Sequence, residues 1–542
     1  MRPTSLALAA LTVAGVLAAA PAAGSPAQTP QRGGTVRFGV LAEPACLNVL
    51  LERCGESGPA LSLLAEKILE PAFYVGPDFT WRPRLVSSVT FTKRPPFTLT
   101  YRIHPRARWS DGVPVTARDF VFTLRTRIAR KDEMPFERPY LEQVRSVRAV
   151  DSKTVRVVLR SRFAGWRALF GNILPRHALQ GENVATVWTD GIVNPKTGRP
   201  IGSGPFLVER WDRGGQLTLV RNPRYWGAHP AYLDRVVLRV GLGSDDPVEW
   251  FGQNEVDVAW GGLFPPAVAA LLREPGIRVL AEPTPRFEHL AIRVGPGGHP
   301  ALRSKLVRRA LAYGLDRNAI VRGVFGDFPP DLRPLQSLVL GEPSPRYRHN
   351  WNEYRRRPAE AVRLLEQAGC RRGADGIYSC SGQRLSLRFV TSAGIPPRAQ
   401  TISLAQAQLR QVGIEVVPTF APPPVFLGQI LPKGDFDVAL FAWQHDPSGT
   451  GMHEVFGCGG ATNYYGYCQR LVTRDLDQAN RILDAPRQGR VLNRADRQMA
   501  RDVPAIPLFQ IPLPAAHRTT VRGFVHSTTN PLWNAEDWWL DR

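Results

Sequence analysis

The sequence lacks the short motifs that mark several classes of enzyme. Its 542 residues contain no H-E-x-x-H, no P-loop and no glycine-rich dinucleotide fingerprint. Gly202-Ser203-Gly204 does not have the G-x-S-x-G spacing of a serine-nucleophile turn, because Gly204 directly follows Ser203. A simple turn explains this tripeptide. We therefore expect a protein that is not an enzyme and needs no cofactor, and a secreted hydrolase is the enzyme alternative.

Lysine is scarce, and no long basic run is present. The chain has seven lysines and 62 arginines against 47 acidic residues, which gives a formal net charge of +22. The longest basic cluster is Arg355-Arg356-Arg357, so the pattern does not indicate a nucleic-acid partner. The positive excess favours weak, salt-sensitive attraction to anionic polymers or lipid headgroups.

Long hydrophobic runs are absent except near the start of the chain. Arg2, the apolar stretch 6–20 and the small residues that follow have the pattern of an export signal over residues 1–24. As a helix the apolar stretch would be about 22 Å long, which is short of the ~30 Å hydrocarbon layer. The first cysteine is Cys46, so no residue for acyl anchoring follows the stretch. We expect a soluble, exported protein after cleavage.

The six cysteines form three close pairs along the chain, and no C-x-x-C pair occurs. The pairs are Cys46 with Cys54, Cys370 with Cys380, and Cys458 with Cys468. An even number in an exported chain predicts disulfides, and short separation favours these pairs among the fifteen possible connectivities. The spacing does not fit zinc. Buried free thiols are the remaining alternative.

Composition indicates a folded protein of several units. Hydrophobic residues make up 43% and charged residues 21% of the chain, and 48 glycines and 49 prolines divide it into short elements. At 100 to 200 residues per domain, the length predicts about three or four folding units. No internal repeat is evident.

The first half of the chain has an α+β pattern. Apolar and polar residues alternate over 97–103, which predicts a strand, and a turn follows at 109–112. Thr116 with Asp119 has the spacing of a capping box at the start of an amphipathic helix. Further strands are predicted at 36–40 and 154–160, and a β meander is predicted over 205–209, 216–221 and 235–240.

The second half has an α/β pattern, in which helices alternate with strands. Helices are predicted at 302–313, 316–325, 358–368 and 404–412, and strands at 414–417 and 437–442. The fold class predicted from both halves is α/β with an α+β part.

Seven sequence segments, taken in order, resemble the family 5 extracellular solute-binding proteins, which are the peptide-, dipeptide- and nickel-binding subunits of bacterial ABC importers. The resemblance covers nearly all of the chain after the signal. The segments are GGTVR at 33–37, WSDGVPVTARDFVF at 109–122, GSGPF at 202–206, RNPRYWG at 221–227, EVD at 255–257, VRRALAYGLDR at 307–317 and DFDVAL at 435–440.

The resemblance implies a two-lobed, periplasmic-binding-protein-like clamshell with an extra domain inserted in lobe one. Lobe one would comprise 33–75, 200–288 and 505–542, the insert 76–199, and lobe two 289–504. Two crossings between the lobes would form a hinge, and a ligand that touches both lobes would favour the closed form.

The same resemblance points to Asp446 as a ligand-binding residue. In peptide-binding members a carboxylate three residues beyond a tryptophan holds the α-ammonium of the ligand, and Asp446 stands in that position after Trp443. Such a contact is worth roughly 1.5 to 3 kcal/mol. The alternative is that Asp446-Pro447 forms a turn. Gln444 and His445, between Trp443 and Asp446, depart from the peptide pattern and leave the specificity open.

Three aromatic residues are further candidates for the ligand site. Trp443 and Trp260 each follow a strand at a predicted lobe edge, where aromatic walls supply contact area, with core packing as the alternative. Tyr464 lies inside the Cys458–Cys468 loop, from which it could reach a ligand, with a structural or surface tyrosine as the alternative. His445 and His453 raise the nickel option of the family, but their spacing of eight does not place them on one helical face, so no metal site is predicted.

We therefore expect a non-catalytic, monomeric capture protein that takes a peptide or a related small polar solute and delivers it to the permease subunits of an ABC importer. Strand-like binding of an extended backbone tolerates many side chains, which favours peptides. The alternatives are the secreted hydrolase and a surface adhesion or signalling module on the same scaffold.

Overall fold

The computed structural model describes residues 29–41, 43–51, 54, 66–134, 137–241, 247–263, 265–326, 328–329 and 331–542. The expected export signal at 1–24 lies outside these residues. Within them, no helix combines the length and the apolar character that a membrane span requires.

Strands occur in both halves of the chain and are more frequent than helices in the first half. They are β1 (Thr35–Val40), β2 (Phe73–Val75), β3 (Trp81–Pro83), β4 (Val86–Phe91), β5 (Thr98–Ile103), β6 (Val144–Ala149), β7 (Thr154–Leu159), β8 (Phe206–Asp212), β9 (Gln216–Arg221), β10 (Arg235–Val240), β11 (Val258–Trp260), β12 (Ile277–Ile292), β13 (Arg371–Arg372), β14 (Tyr378–Cys380), β15 (Gln383–Arg384), β16 (Ser386–Ser392), β17 (Glu415–Ala421), β18 (Val438–Gln444), β19 (Ala505–Arg518), β20 (Val521–Arg522) and β21 (Trp539–Leu540).

Helices also occur in both halves of the chain, but most of them lie in the second half. They are α1 (Ala117–Ala129), α2 (Arg138–Leu141), α3 (Arg176–Leu179), α4 (Pro247–Gly252), α5 (Pro265–Leu271), α6 (Lys305–Gly314), α7 (Arg317–Phe325), α8 (Pro358–Gln367), α9 (Pro396–Gln411), α10 (Pro423–Val425), α11 (Leu431–Lys433), α12 (Met452–Phe456), α13 (Arg470–Arg481) and α14 (Ala485–Asp502). Shorter 3₁₀ helices are Lys131–Glu133, Ala164–Leu169, Pro300–Arg303 and Ala535–Asp537, and a π-helical turn spans Phe426–Ile430.

A ten-stranded sheet runs through both lobes in the order β17-β16-β18-β12-β19-β11-β1-β10-β9-β8. One end, from β11 to β8, forms the first lobe, and the other end, from β17 to β18, forms the second. The long strands β12 and β19 are antiparallel neighbours that belong to both lobes: β19 pairs with β11 of the first lobe and β12 pairs with β18 of the second.

The register of β12 and β19 shifts where they pass between the lobes. Pairing runs up to Pro283 with Pro512 and resumes at Phe287 with Gln510. Prolines cannot donate a ladder hydrogen bond, so the strands are only loosely joined at this point. The buried Gln510 side chain partly compensates, because its Nε2 donates to the Thr284 carbonyl at 2.6 Å. We call this segment the crossing.

A separate four-stranded antiparallel sheet has the order β4-β5-β7-β6 and carries α1. The capping box predicted for α1 is present, and the Thr116 backbone N–H donates to Asp119 at 2.7 Å. Buried Phe120 and Leu124 of α1 belong to the same apolar core as the β5 residue Tyr101. The predicted strand, turn and helix of this region are confirmed.

The second lobe has its own core, formed by helices on both sides of β16, β18 and the ends of β12 and β19. The predicted helices at 302–313, 316–325 and 358–368 are confirmed to within a few residues. The helix predicted at 404–412 is longer than expected, since α9 begins at Pro396. The missed first turns contain Pro396 and Pro397, which are tolerated at a helix start.

The three predicted cysteine pairs are all bonded as disulfides: Cys46–Cys54, Cys370–Cys380 and Cys458–Cys468. Each closes a loop with a sequence separation of 8 or 10. The third fixes the loop that carries Tyr464 beside β18.

Candidate functional site

The candidate site surrounds the end of β18, where the strand leaves the sheet at the crossing. β12 pairs with β18 along its whole length, whereas β16 pairs with Val438, Ala439 and Leu440, so the end of β18 is held from the β12 side. Trp443 and Gln444 are its last residues, and His445 donates its backbone N–H to the Pro285 carbonyl at 3.0 Å. The loop 445–451 then leads into α12.

Trp443 and Tyr464 form an aromatic wall. Their rings stack with centroids 5.9 Å apart and an angle of 22° between planes, and both are half-buried. The Tyr464 backbone carbonyl accepts from Arg293 at 2.8 Å, which ties the disulfide loop to the residues after β12. The part of each ring that stays exposed is available to a ligand.

A buried chain of hydrogen bonds supports this wall from behind. The Trp443 indole N–H donates to the Tyr465 hydroxyl at 2.8 Å, and that hydroxyl lies 2.7 Å from Nε2 of His289. An indole nitrogen can only donate, so the Tyr465 O–H must donate to His289 Nε2. Burial lowers the pKa of His289 to about 3, which keeps the ring neutral and able to accept.

Gln444 and His445 point to different surroundings. Gln444 is exposed at the end of β18, where it pairs with Arg286 of β12. His445 is buried, and its ring lies flat on Phe287 with centroids 4.2 Å apart. Burial lowers the pKa of His445 to about 3. The structure therefore places Gln444 where a solute could reach it and His445 in the packing beneath.

Asp446 lies in the loop after β18 and connects this loop to α2. Along the chain, α2 comes after α1, the helix that packs on the four-stranded sheet. Its Oδ1 accepts the Ser448 backbone N–H at 2.7 Å, which closes the turn that the Asp446-Pro447 sequence suggested. Its Oδ2 accepts the Tyr140 hydroxyl at 2.7 Å and also bonds Thr450. Burial and the Asp446 charge raise the pKa of Tyr140 well above its usual range, so Tyr140 is a permanent donor here.

A second bond joins the same loop to the first half of the chain. The indole N–H of Trp81 in β3 donates to the Ser448 hydroxyl at 3.1 Å. Tyr140 and Trp81 are 306 and 367 residues away from their partners in the sequence, and sequence reasoning named neither. In the sequence, the only signal that could have identified Tyr140 and Trp81 as candidates is that they are aromatic residues in segments without a clear helix or strand pattern.

Two arginines complete the electrostatics of the site. Arg346 of the second lobe donates to the Pro447 carbonyl, and burial lowers its pKa, which the Asp446 charge partly offsets. The positive charge of Arg167 also disfavours the charged form of Arg346 and so lowers its pKa further. Arg167 stacks over Trp166 at 4.3 Å and forms no ion pair within the described part of the chain. The site thus offers one carboxylate and two guanidinium groups.

Trp260 lies elsewhere. It is 7% exposed and packs in the core of the first lobe, and its indole N–H donates to the Ser527 carbonyl at 3.0 Å. The neighbouring Thr528 bonds the Pro283 carbonyl at the crossing. Trp260 is therefore connected to the crossing through this loop, and not to the Trp443–Tyr464 wall.

The histidines that raised the nickel option have unrelated environments. His445 is buried against Phe287, whereas His453 lies 3.3 Å from Asp477 and 3.6 Å from Glu454. Over the described ranges, no three His, Cys, Asp or Glu side chains are grouped so that they could hold a metal ion.

Comparison with known proteins identifies relatives over nearly the whole chain. The family model of the bacterial extracellular solute-binding proteins, family 5 Middle, matches residues 80–463. The oligopeptide-binding protein OppA of Mycobacterium tuberculosis is 27% identical over 507 residues, which cover 92% of this chain and 83% of that protein.

Solved structures share the fold at lower identity. The periplasmic EDTA-binding protein EppA superposes with a TM-score of 0.80 and 22% identity, covering 95% of this chain and 98% of that one. The oligopeptide-binding protein AppA of Bacillus subtilis, in complex with a nonapeptide, gives 0.71 and 20%, covering 95% and 100%. These likenesses establish the two-lobed α/β clamshell with its additional domain.

Proposed function

This chain belongs to the bacterial extracellular solute-binding proteins of family 5, and from that premise we propose that its solute is a peptide bound at the end of β18. The protein is the solute-binding component of an ABC importer. In the proposal it holds the peptide between the lobes, as a monomer and without altering it, and presents it to the permease subunits. No nucleic acid takes part.

The observation that carries the proposal is the position of Asp446. Its carboxylate accepts a hydrogen bond from Tyr140 of the other half of the molecule, and Asp446 follows Trp443 by three residues just after the end of β18. Oδ1 accepts one hydrogen bond from Ser448 and has the capacity to accept another. A peptide α-ammonium is a suitable donor for it, and the aromatic wall suits side chains of many kinds.

The arginines extend the same argument to the opposite charge. Arg167 and Arg346 concentrate positive charge near the carboxylate, and an added anion would relieve their mutual repulsion. A peptide carries both an ammonium and a carboxylate. The combination of groups therefore fits a zwitterion better than it fits a sugar or a simple cation.

The boundaries predicted from the sequence form part of the proposal. Lobe one is taken as 33–75, 200–288 and 505–542, the insert as 76–199 and lobe two as 289–504. The boundary at 288–289 falls inside β12, which is one of the two strands that cross. Export through the segment 1–24 would deliver the chain outside the cytoplasm as a soluble protein.

The test is the replacement Asp446→Asn, which removes the charge but keeps an oxygen for the turn. We expect the Kd for a bound peptide to rise about 10- to 100-fold, since a charge-assisted hydrogen bond is lost. Isothermal titration calorimetry measures this change, and circular dichroism checks that the fold is kept. The matched control is Asp435→Asn. Asp435 is exposed, lies shortly before the start of β18 and pairs with Arg388, so this replacement should leave the Kd unchanged.

The peptide for this titration comes from the protein itself. Native mass spectrometry of the purified protein should detect a retained peptide, which is then synthesised. If Asp446→Asn binds that peptide as tightly as the parent does, Asp446 has only its turn role. If the retained solute is not a peptide, or is converted during incubation, the proposed function is wrong.

A further inference from the structure

A large groove lies between the four-stranded sheet and the helical hairpin formed by α13 and α14, and the Cys458–Cys468 disulfide, which closes the Tyr464 loop, lines part of it. Its volume is about 1410 Å³. One wall comes from the end of β4, the loop before β5 and the residues after β7; the other comes from α13, the turn 482–484 and α14. Trp443, Asp446 and Tyr464 do not line it. We call it the basic groove.

The charged side chains of the basic groove are predominantly positive. Seven cations line it against two carboxylates, Asp477 and Asp484. The cations are Lys93, Arg162, Arg470, Arg474, Arg481, Arg487 and Arg494. Arg470, Arg474 and Arg481 recur on one face of α13, whose opposite face is buried. A groove of this charge attracts anions.

Most of these cations have no carboxylate partner. Arg474 and Arg494 both pair with Asp475, but Lys93, Arg162, Arg470, Arg481 and Arg487 make no ion pair to any residue that the structure describes. The two carboxylates are already engaged, since Asp477 lies 3.3 Å from His453 and Asp484 caps α14. The positive charge of the groove is therefore not neutralised by the chain itself.

The floor between these cations is apolar. Phe91, Phe97, Ile482 and Leu483 line it, and Phe91 is 47% exposed. Arg162 lies over the Phe97 ring at 5.5 Å, and Leu483 packs against the core that includes the four-stranded sheet. An exposed apolar strip edged by unpaired arginines is unusual on a water-facing surface and marks a binding surface.

We propose that the basic groove binds a single-chain amphipathic anion, with a phosphate-bearing head on the arginines and a hydrocarbon chain on Phe91, Phe97, Ile482 and Leu483. A small inorganic anion would leave the apolar floor uncovered, and a neutral amphiphile would leave the cations unpaired. Arginine pairs with phosphate through two parallel hydrogen bonds, which suits a headgroup of this kind. The proposal is independent of the peptide site.

Both walls of the groove would contact the ligand, so its binding would depend on how the four-stranded sheet and the second lobe are placed relative to each other. Phe91 ends β4 and Phe97 directly precedes β5 of the four-stranded sheet, whereas Ile482 and Leu483 belong to the second lobe. A ligand that covers all four favours the arrangement in which the walls face each other, because only there does it touch both.

The probe for the test is short-chain lysophosphatidylglycerol below its critical micelle concentration, titrated calorimetrically into the full chain. We expect saturable binding that weakens with added salt. Arg470→Gln with Arg481→Gln should raise the Kd about 10-fold through lost charge, and Phe91→Ser should raise it by a similar factor through lost apolar burial.

Matched variants separate the groove from the rest of the surface. Arg273→Gln with Arg303→Gln removes two exposed arginines elsewhere, and Phe420→Ser removes a phenylalanine that is 48% exposed on β17. Both should bind the probe within about twofold of the parent. All variants should keep their affinity for the retained peptide.

Three results would overturn the proposal. Equal binding of lysophosphatidylcholine would show that the charge of the head does not matter. Equal binding of inorganic phosphate or poly-glutamate would show general attraction of anions. Absence of saturable binding, or equal losses in the matched variants, would show that the groove is not a site.

Discussion

At the scale of single residues, the buried histidines have the clearest measurable consequence. His445 and His289 have their pKa lowered to about 3 by burial, and that of His526 is lowered to about 4. In the unfolded chain these rings titrate near 6.5. Below that pH the unfolded chain binds protons that the folded protein does not, so stability is complete above pH 6.5 and falls as the pH falls.

The replacement His445→Gln tests this effect in one residue. We expect a loss on the order of 1 kcal/mol at neutral pH, because the ring stacked on Phe287 is lost. Between pH 6 and 4 the free energy of unfolding should then fall less steeply, by up to about 1.4 kcal/mol per pH unit. Urea denaturation at a series of pH values measures both. The exposed His349→Gln is the control, and an unchanged slope in His445→Gln would contradict the account.

Residue-level prediction from the sequence reached only what lies close along the chain. Trp443 and Tyr464 were named as separate ligand candidates, and their stacking was not predicted, although the Cys458–Cys468 loop follows β18 closely along the chain. Tyr140 and Arg167 could not be predicted, because they lie in short helical segments far from β18 along the chain and no local pattern indicates such a long-range approach. Trp260 lies at the end of a strand, as expected, but its side chain packs in the core of the first lobe and does not line the site.

At the scale of secondary-structure elements, β12 and β19 determine how the lobes are joined. The sequence analysis placed lobe boundaries near them but did not predict either strand. The reason is physical: the prolines at 283, 285, 512 and 514 interrupt the ladder and the alternation by which a strand is recognised. By contrast, α1 was predicted in detail, because its capping box lies within four residues.

The side chain of Gln510 holds the crossing together where the ladder is interrupted. Its Nε2 donates to the Thr284 carbonyl, and its Oε1 accepts the Glu342 N–H at 2.7 Å. In Gln510→Leu both partners lose their bond, so we expect the free energy of unfolding to fall by about 2 to 4 kcal/mol. Guanidinium denaturation measures the loss. The surface replacement Gln367→Leu should change it by less than about 0.5 kcal/mol, and equal losses in the two variants would refute this role.

At the scale of the whole molecule, contacts outside the two strands also join the two halves. The Tyr140–Asp446 and Trp81–Ser448 hydrogen bonds do so, and Leu483 packs against the core that contains the four-stranded sheet. Under the proposed function, a peptide that contacts Asp446 on one wall and Arg167 on the other would favour closure by the difference in its affinity for the two forms.

The fold class and the family could be predicted from the sequence because seven short segments occur in family order, and the family model, which matches residues 80–463, confirms the family. The identity of the solute could not, since it depends on how a few side chains from distant segments meet.

Small-angle X-ray scattering during a titration with the retained peptide tests the central claim most directly. The account predicts that the radius of gyration falls with added peptide and saturates in proportion to binding, and that Asp446→Asn reaches the same final value only at higher peptide concentration. A radius of gyration that stays constant while calorimetry shows the peptide bound would contradict closure of the lobes around the solute.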